Sequence, residues 1–500
     1  MRKHIWSVFA VMLSMVFLGC SPYAVKTPTR ADRQLSESFI GFRESENGAD
    51  VDREWWKAFG DPQLNSLMHE AFSENLSLQS AFERLAQARA RAMIAGAEQY
   101  PSVALQSGGS RARIDTQIGV SQSGVQPVGV RYQNDFFVRS GISYELDLWE
   151  RIASSRNAAV LRTEATVADL DQAALVLSGT TTELWFAAQE KQALLNLIRD
   201  QIDVSRTFLE LIELRFSVGK ATALDVLQQR SQLASIEAEE PRVLEEFEVT
   251  LNQLAAVLAL PSREKLPVKI QGELPELPPF PKLISPAELL VTRPDLKSAL
   301  LDAEATESDV AAAVAERFPQ LALTFDYSFS TTDIADLFLT KVGSLGGDIL
   351  LPLVDGGRRR GQVRLQKALS REKLLAFQQK YLSALQEVED ALSQEKNRSE
   401  RVVRLSEQLE LSRKTLNESR SRYATGLTDY LDVIVAVQSL QQLERTLVSE
   451  KRNLLIARAR LYRALGGGGA LVSESEENEQ ETPSRSANSD VPLFESGVRS

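Results

Sequence analysis

Two long stretches of the chain are predicted to form helices far longer than those of ordinary globular domains. From Gln362 to Thr425 there are 64 residues without glycine or proline. At 1.5 Å per residue they would form a helix of about 96 Å. The stretch from Glu150 to Val218 is interrupted only by Gly179. Helices of globular proteins run to roughly 20 residues, so both stretches indicate extended helical structure.

Apolar side chains on these stretches recur at alternating steps of three and four residues. They fall at Leu194, Ile198, Ile202, Ser205, Leu209, Ile212 and Phe216, at Tyr381, Leu385, Val388 and Leu392, and at Leu405, Leu409, Ser412 and Leu416. This spacing keeps one helix face turned towards a partner helix and predicts coiled-coil packing. A long coiled coil of the cytoskeletal type is the alternative.

Four shorter segments alternate between apolar and polar residues and predict β-strands. Leu321 to Phe329 shows the pattern most clearly, followed by Val138 to Leu148, Leu345 to Leu353 and, more weakly, residues 103–114. Segments of about 10 residues with this period are typical of strands that cross a membrane at a tilt. A soluble sheet with one wet face would give the same pattern.

The two halves of the chain repeat each other. The Arg, Gly, Leu, Asp and Val of 215–227 recur at an offset of 207 in 422–434, and Tyr100-Pro101 recurs as Phe318-Pro319 at an offset of 218. Eight prolines between Pro261 and Pro294 predict an extended linker. We therefore expect a first helix–strand–strand–helix repeat at 51–260, a linker at 261–285 and a second repeat at 286–465.

The first twenty residues predict a secretory signal that ends in a lipidation site. Arg2 and Lys3 precede the apolar run Ile5 to Leu18, which is too short to span a membrane and is followed by Gly19-Cys20. We expect a signal peptide at 1–19 and a lipid-anchored extension at 20–50 with a covalent lipid on Cys20. A plain signal peptide, with Cys20 removed or left free, is the alternative.

Composition narrows the function further. The net charge is -11, which disfavours nucleic-acid binding. One cysteine and two histidines leave no basis for a disulfide, a Cys-based zinc site or a His-centred triad. We expect neither enzymatic activity nor any metal or cofactor apart from the lipid on Cys20. The Glu-rich segment 466–500 is predicted to be a disordered acidic tail.

Four strands cannot close a barrel, and open strand edges in lipid would leave unpaired backbone groups. Copies of the chain must therefore complete the wall. Two copies would give a filled eight-stranded barrel, whereas three copies give the smallest assembly with a lumen. The sequence itself leaves the choice between three and four copies open.

Several short motifs together resemble the TolC-like outer-membrane efflux channels, in their lipoprotein (OprM/NodT-type) branch. They are Trp55-Trp56 with Phe59-Gly60-Asp61-Pro62, Glu145-Leu146-Asp147-Leu148-Trp149, Arg293-Pro294-Asp295-Leu296, Arg317-Phe318-Pro319, Leu351-Pro352-Leu353 with Asp355-Gly356-Gly357-Arg358, and the two Gly…Leu-Asp-Val repeats.

The resemblance implies a mainly α fold with a membrane β part. Long coiled-coil helices would form a periplasmic α-barrel, and four strands per chain would contribute to a trimeric twelve-stranded outer-membrane β-barrel. It also implies a homotrimer embedded in outer-membrane lipid. A periplasmic adaptor (membrane fusion protein) and an inner-membrane exporter, expected to be of the RND type, would be its partners.

In this family the tips of the long helices carry the periplasmic gate. Gly219 and Gly426 are expected to turn the chain there. Leu431 matches the gate Leu of relatives, but Val435 stands where they have Asp, so we expect an apolar constriction of Leu431 and Val435 beside Asp432. Ordinary helix packing is the alternative for the two apolar residues, and Asp432 could instead bind a neighbouring subunit.

Other residues are expected to contact partners or the membrane. Leu224 and Asp225 are the equivalents of Leu431 and Asp432 in the first repeat; stabilisation of the following helix N-terminus is the alternative role for both aspartates. Arg215 and Arg422 could meet an adaptor hairpin or could simply be solvated. Trp149 could anchor the chain at the membrane interface or pack in the core.

The leading functional hypothesis is a passive exit duct for small molecules such as drugs, in the outer membrane of a tripartite efflux system. The outer-membrane component of a type I protein-secretion system is the close alternative. A lipid-anchored structural coiled coil of the envelope without a pore is the alternative of another class.

Overall fold

The structure, a computed structural model, describes residues 22–24, 39, 51–116 and 129–467. The predictions for the signal peptide, for Cys20, for most of the anchor extension and for the tail after residue 467 lie outside the described residues.

The first half of the chain folds as two helices, a hairpin of two strands and two further helices. The elements are α1 (Pro62–Glu74), α2 (Leu76–Ala97), β1 (Ser102–Thr116), β2 (Gly129–Leu146), α3 (Arg151–Ser217) and α4 (Ala223–Val257). Helix α3 has 67 residues and α4 has 35, and α4 continues through Pro241.

The second half repeats this order with helices of the same lengths. After a helical turn at Leu289–Thr292, its elements are α5 (Pro294–Ala315), β3 (Gln320–Thr331), β4 (Lys341–Leu350), α6 (Arg358–Ala424) and α7 (Tyr430–Ala464). Helix α6 has 67 residues and α7 has 35, as α3 and α4 do. Both pairs start at an offset of 207, the offset of the sequence repeat.

The four strands form one antiparallel sheet in the order β1-β2-β3-β4. Strands β2 and β3 join the two repeats, with Ile142 opposite Phe325. Strand β4 ends at Leu350, before the predicted Leu353, because Pro352 has no N–H to donate to a strand partner. Strand β2 ends at Leu146, two residues before the predicted Leu148.

The chain divides into two compact units. Of the described residues, the first contains 22–24, 83–116, 129–166 and 297–380, which include the sheet, most of α2 and α5 and the N-terminal parts of α3 and α6. The second contains 39, 51–82, 167–296 and 381–467, which include the C-terminal parts of α3 and α6 and the whole of α4 and α7.

The predicted coiled-coil positions form much of the core of the second unit. Leu194, Ile198 and Ile202 of α3 pack in one buried cluster with Ile236 and Val243 of α4. Burial of such side chains contributes roughly 1.5–3 kcal/mol each. The alternating three- and four-residue spacing thus identified the packed face correctly, except at the C-terminal end of α3, where Phe216 is exposed.

The proline-rich linker is fastened to the helices by hydrogen bonds to its backbone. Gln189 Oε1 accepts from the N–H groups of Gly272 and Glu273 at 2.8 and 3.2 Å. Arg458 donates to the carbonyl oxygens of Pro278 and Pro279. These contacts satisfy backbone N–H and carbonyl groups that an extended segment cannot pair within itself.

No helix among the described residues is both long and apolar enough to cross a membrane. In the same part of the chain, His, Cys, Asp and Glu side chains form no group of three or more that could hold a metal ion.

Candidate functional site: the paired helical turns

Two equivalent turns end the longest helices and start the next ones. In the first, Lys220 N–H donates to Arg215 O at 2.7 Å and Gly219 N–H donates to Phe216 O at 3.0 Å. In the second, Leu427 N–H donates to Arg422 O at 2.9 Å. This pattern closes a helix through a left-handed residue, and Gly219 and Gly426 have φ of 71° and 77°.

The helices that follow these turns begin differently. At α4 a reciprocal capping box joins Thr222 and Asp225, with Thr222 N–H donating to Asp225 Oδ2 at 2.8 Å and Asp225 N–H to Thr222 Oγ1 at 3.2 Å. At α7 the Thr428 hydroxyl donates instead to the carboxylate of Asp432. Asp225 is thus engaged in stabilising a helix N-terminus, while Asp432 is exposed beside the second turn.

A buried apolar cluster holds the two turns together. Ile212 of α3 and Val226 of α4 pack with Leu416 of α6 and with Val433 and Ile434 of α7. The four helix ends therefore form one packed tip, which we call the turn cluster.

Two arginines are stacked on aromatic rings within this tip. The Arg215 guanidinium lies 4.7 Å from the centre of the Tyr423 ring, and that of Arg420 lies 4.4 Å from the centre of the Phe208 ring. Burial, then the charge of Asp225, raises the pKa of Tyr423, and Arg215 opposes that rise. Burial lowers the pKa of Arg420.

A seam of glutamines runs between α3, α4 and α7 behind the turn cluster. Gln229 accepts from the Tyr430 hydroxyl at 2.6 Å and donates to Ser205 O and Oγ at 2.8 and 2.9 Å. Gln232 donates to Gln441 Oε1 at 3.0 Å. Because buried amides are costly when unpaired, this network fixes how the helices pair.

The predicted gate residues share one groove on the second repeat. Leu431, Asp432 and Val435 line a groove of about 730 Å³ together with Arg422 and Thr428. Leu431 is 53% exposed and Val435 is 52% exposed. The structure thus brings these five residues together at the surface of α6 and α7.

Of the other predicted residues, Leu224 and Trp149 do not line that groove, whereas Arg422 does. Leu224 is exposed on the first turn of α4. Arg422 donates to Glu418 Oε1 at 2.8 Å on the exposed face of α6. Trp149, between β2 and α3, is half-buried, donates its indole N–H to Pro319 O at 2.7 Å and packs on Phe318 with ring centres 5.0 Å apart.

Sequence reasoning missed the residues that connect the turns to the helices behind them. Arg420, Tyr430 and the glutamine seam were not singled out. One signal was available, because Ser205 is a polar residue at a coiled-coil position and therefore needs a polar partner. Its partner Gln229 is 24 residues away and could not be identified without the pairing of α3 and α4.

The two helix–strand–strand–helix repeats, the single two-faced sheet and the paired helical tips define the class of outer-membrane ducts. Comparison with known proteins agrees with this class. The sequence profile described as outer membrane efflux protein matches residues 67–260 and 285–467, and the chain belongs to that family.

Curated relatives match along most of their length. The pyoverdine export outer membrane protein OpmQ of Pseudomonas putida is 29% identical over 466 residues, which cover 91% of this chain and 96% of the relative. OpmQ of Pseudomonas aeruginosa is 30% identical over 430 residues, covering 83% and 87%.

Solved structures share the fold. The outer-membrane channel OprN is 27% identical with a TM-score of 0.78, covering 87% of this chain and 99% of that one. The CmeC outer-membrane channel of Campylobacter jejuni has a TM-score of 0.83 at 23% identity, covering 92% and 98%, and supports the fold alone.

The expected family, fold class and location in the outer membrane are therefore confirmed, and the chain is the outer-membrane channel component of an efflux system. Channels of this family work with an adaptor and an inner-membrane pump. This identification argues against a structural coiled coil without a pore. The absence of catalysis stays a prediction.

Proposed function

We propose that the chain is one of three identical subunits of a lipid-anchored exit duct for small molecules, served by an adaptor and an RND-type inner-membrane exporter. Relatives are named for pyoverdine export and for solvent and toluene efflux, which favours small molecules over secreted proteins.

The observation that carries this proposal is the open, two-faced sheet. In the described part of the chain, β1 and β4 are edge strands that pair on one side only. Lipid supplies no hydrogen bonds, so each edge needs a strand from another copy. Three copies of the chain place twelve strands in one barrel wall. This is the smallest assembly of four-stranded subunits that leaves room for a lumen.

The groove at the second turn supports an apolar gate. Leu431 and Val435 lie one helical turn apart on α7 and leave half of their surface uncovered. In a three-fold assembly their copies would meet at the axis and exclude water from a narrow neck, which blocks ions by dewetting. Asp432 lines the same groove and would place a charge at the rim of that neck.

Exposed groups around the two turns support adaptor docking. Leu224, Leu227 and Leu427 are more than half exposed, which is unusual for large apolar side chains unless a partner covers them. Arg422 accepts through its backbone carbonyl from Leu427 N–H, and its side chain is exposed.

Trp149 lies between β2 and α3 and has the amphipathic character of a membrane-interface anchor.

The sequence supports a lipid on Cys20, because this cysteine directly follows the apolar run Ile5 to Leu18 and Gly19. Acyl chains on Cys20 would add a stable anchor to the hold of the strands. Three residues further along the chain, Tyr23 donates to Glu307 Oε2 of α5 at 3.0 Å.

The test is the assembly and conductance of the membrane-extracted protein. Light scattering in detergent should give three times the mass of one mature chain, and planar bilayers containing it should show channel openings. Cys20→Ala should leave both results unchanged but abolish labelling by a palmitate analogue. A monomeric particle without conductance would refute the proposal.

A further inference from the structure

The two faces of the sheet differ strongly in character. Residues directly opposite each other in antiparallel strands project to the same side. By this register one face carries Val103, Leu105, Val138, Ile142, Leu323, Phe325, Leu345 and Ile349. The other face carries Gln106, Arg139, Asp326, Ser328 and Asp348. The first face is the one suited to lipid, and we call it the apolar face.

The apolar face ends in two arginines on the β1–β2 hairpin. Arg111 and Arg113 project from the same face of β1 as Leu105, because they follow it by an even number of residues. On β2, Arg111 is opposite Asn134 and Arg113 is opposite Tyr132. The last row that includes β3 joins Phe136 to Thr331. Arg111 therefore lies just beyond the four-stranded part of the sheet.

The distance along β2 places these arginines at the boundary of the hydrocarbon region. From Leu146 to Asn134, the partner of Arg111, the strand advances about 41 Å at 3.4 Å per residue. At a tilt of about 40° this is about 31 Å across the membrane, against an apolar band of about 25 Å in such proteins. Arg111 and Arg113 thus reach the level of the headgroups.

The chemistry around the two arginines fits an anionic headgroup. The Arg111 guanidinium lies 4.8 Å from the centre of the Tyr132 ring. Arg113 Nε lies 3.2 Å from Asp115 Oδ1, and both side chains of that pair are exposed. Although the chain carries -11 overall, residues 110–135 contain three arginines and two aspartates as their only charged groups. The hairpin end is therefore positive on an acidic protein.

We propose that Arg111 and Arg113, with Tyr132 beside them, bind a phosphate on the headgroup of a phosphorylated glycolipid in the outer leaflet. This inference rests on the proposed function, in which the sheet crosses the outer membrane with the hairpin outward. Guanidinium groups hold phosphate oxygens through paired hydrogen bonds, and an interfacial tyrosine packs on the sugar and acyl boundary. Neighbouring side chains on one strand face lie about 6.8 Å apart, so both can reach one headgroup.

The chain offers a matched control on the same hairpin. Arg131 is opposite Ile114 in the register, so it lies on the other face of the sheet at the same height. Its charge and its distance from the hairpin end match those of Arg113, but it cannot face the same lipid.

The experiment measures binding of diphosphoryl lipid A to the detergent-purified assembly by native mass spectrometry. We expect the double variant Arg111→Gln/Arg113→Gln to bind at least tenfold more weakly than the wild type, because two charge-assisted contacts are lost. Arg131→Gln should bind as the wild type does. Equal binding by the double variant, or an equal loss in Arg131→Gln, would overturn the proposal.

Two further measurements test whether the phosphate belongs to a lipid or is free, and whether the proposed function itself holds. Lipid A without its phosphates should bind the wild type weakly, to the same extent as diphosphoryl lipid A binds the double variant. Inorganic phosphate at 10 mM should not displace diphosphoryl lipid A from the wild type. Complete displacement would assign the site to free phosphate and refute the lipid. The double variant should keep the oligomer mass and conductance of the wild type. If the wild type itself is monomeric and shows no channel openings, the proposed function is refuted.

Discussion

Arg458 of α7 and Glu395 of α6 form an ion pair with almost no solvent exposure. Their side chains are 3% and 6% exposed, and Arg458 Nε lies 3.0 Å from Glu395 Oε2. Arg458 also holds the carbonyl oxygens of Pro278 and Pro279 in the linker. One side chain therefore connects two helices and the linker, and Glu395 provides its counter-charge.

We predict that Glu395→Gln destabilises the protein by about 3 kcal/mol or more, because it leaves a buried arginine without its counter-charge. Glu418→Gln is the matched control, since Glu418 pairs with Arg422 at 65% and 62% exposure and should change stability by less than about 1 kcal/mol. Thermal unfolding in detergent, followed by circular dichroism at one scan rate, compares the two. Similar melting temperatures for both variants would contradict the prediction.

Tyr23 joins the described N-terminal segment, residues 22–24, to α5 of the first unit. Burial, followed by its hydrogen bond to Glu307 and the charge of Glu307, raises the pKa of Tyr23 to about 12. A phenol with a raised pKa stabilises the folded state while it is protonated. The contact is thus fully present below about pH 10, the pKa of an exposed tyrosine, and is lost as the pH rises towards 12.

We predict that the difference in ultraviolet absorption between the wild type and Tyr23→Phe shows one tyrosine titrating near pH 12. Circular dichroism at each pH confirms that the helices remain folded. Titration of this tyrosine near pH 10 in the folded protein would show that the segment does not dock on α5.

Among the helices, equal lengths in the two repeats follow from equivalent stop signals. Helix α3 ends before Gly219 and α6 ends before Gly426, and each glycine has the positive φ that other residues adopt at a cost. No atom lies within 4 Å of a Cβ added at either glycine, so the cost of a substitution there is conformational and not steric. The two turns are therefore set by their glycines.

We predict that Gly219→Ala and Gly426→Ala each destabilise the turn cluster by about 1–2 kcal/mol, because alanine disfavours the left-handed region. Gly361→Ala is the control, since Gly361 lies in the first turn of α6 with open space around it and should gain up to about 1 kcal/mol. Hydrogen exchange of the amides near each turn measures the effect locally. Unchanged exchange in both turn variants would contradict the prediction.

At this scale the sequence indicated most of what the structure contains. The long helices, their packed faces and the four strands follow from spacing and from the positions of glycine and proline, which act locally. The end of β4 was predicted three residues late because the alternation of Leu351 and Leu353 was given more weight than Pro352. A proline in a strand has no donor, and that overrides an apolar pattern.

For the molecule as a whole, the proposed gate offers a test of mechanism, because Val435 stands where the resemblance to the family leads us to expect an Asp. Leu431 and Val435 are exposed together in one groove of the subunit. An apolar neck closes by excluding water, so it opens when its lining becomes polar. A charged ring would respond mainly to salt and pH instead.

We predict that Leu431→Ser and Val435→Ser each raise single-channel conductance and antibiotic leakage into cells. Leu224→Ser is the matched control, because Leu224 occupies the equivalent position in the first repeat and is 62% exposed, yet lies outside the groove of the gate residues. It should leave conductance near that of the wild type. Unchanged conductance in both gate variants would remove the assignment of the gate.

The sequence by itself determined the duplication, the lengths of the helices and the two-faced character of the strands. These properties depend on the order of residues within about one turn or one strand, or on the same order recurring 207 residues later. Only the tertiary structure decided that β2 pairs with β3 across the two repeats, that Gln229 meets Tyr430, and that Arg458 meets Glu395. Those partners lie far apart in the chain, and their pairing depends on how whole helices and strands pack, which no local pattern encodes.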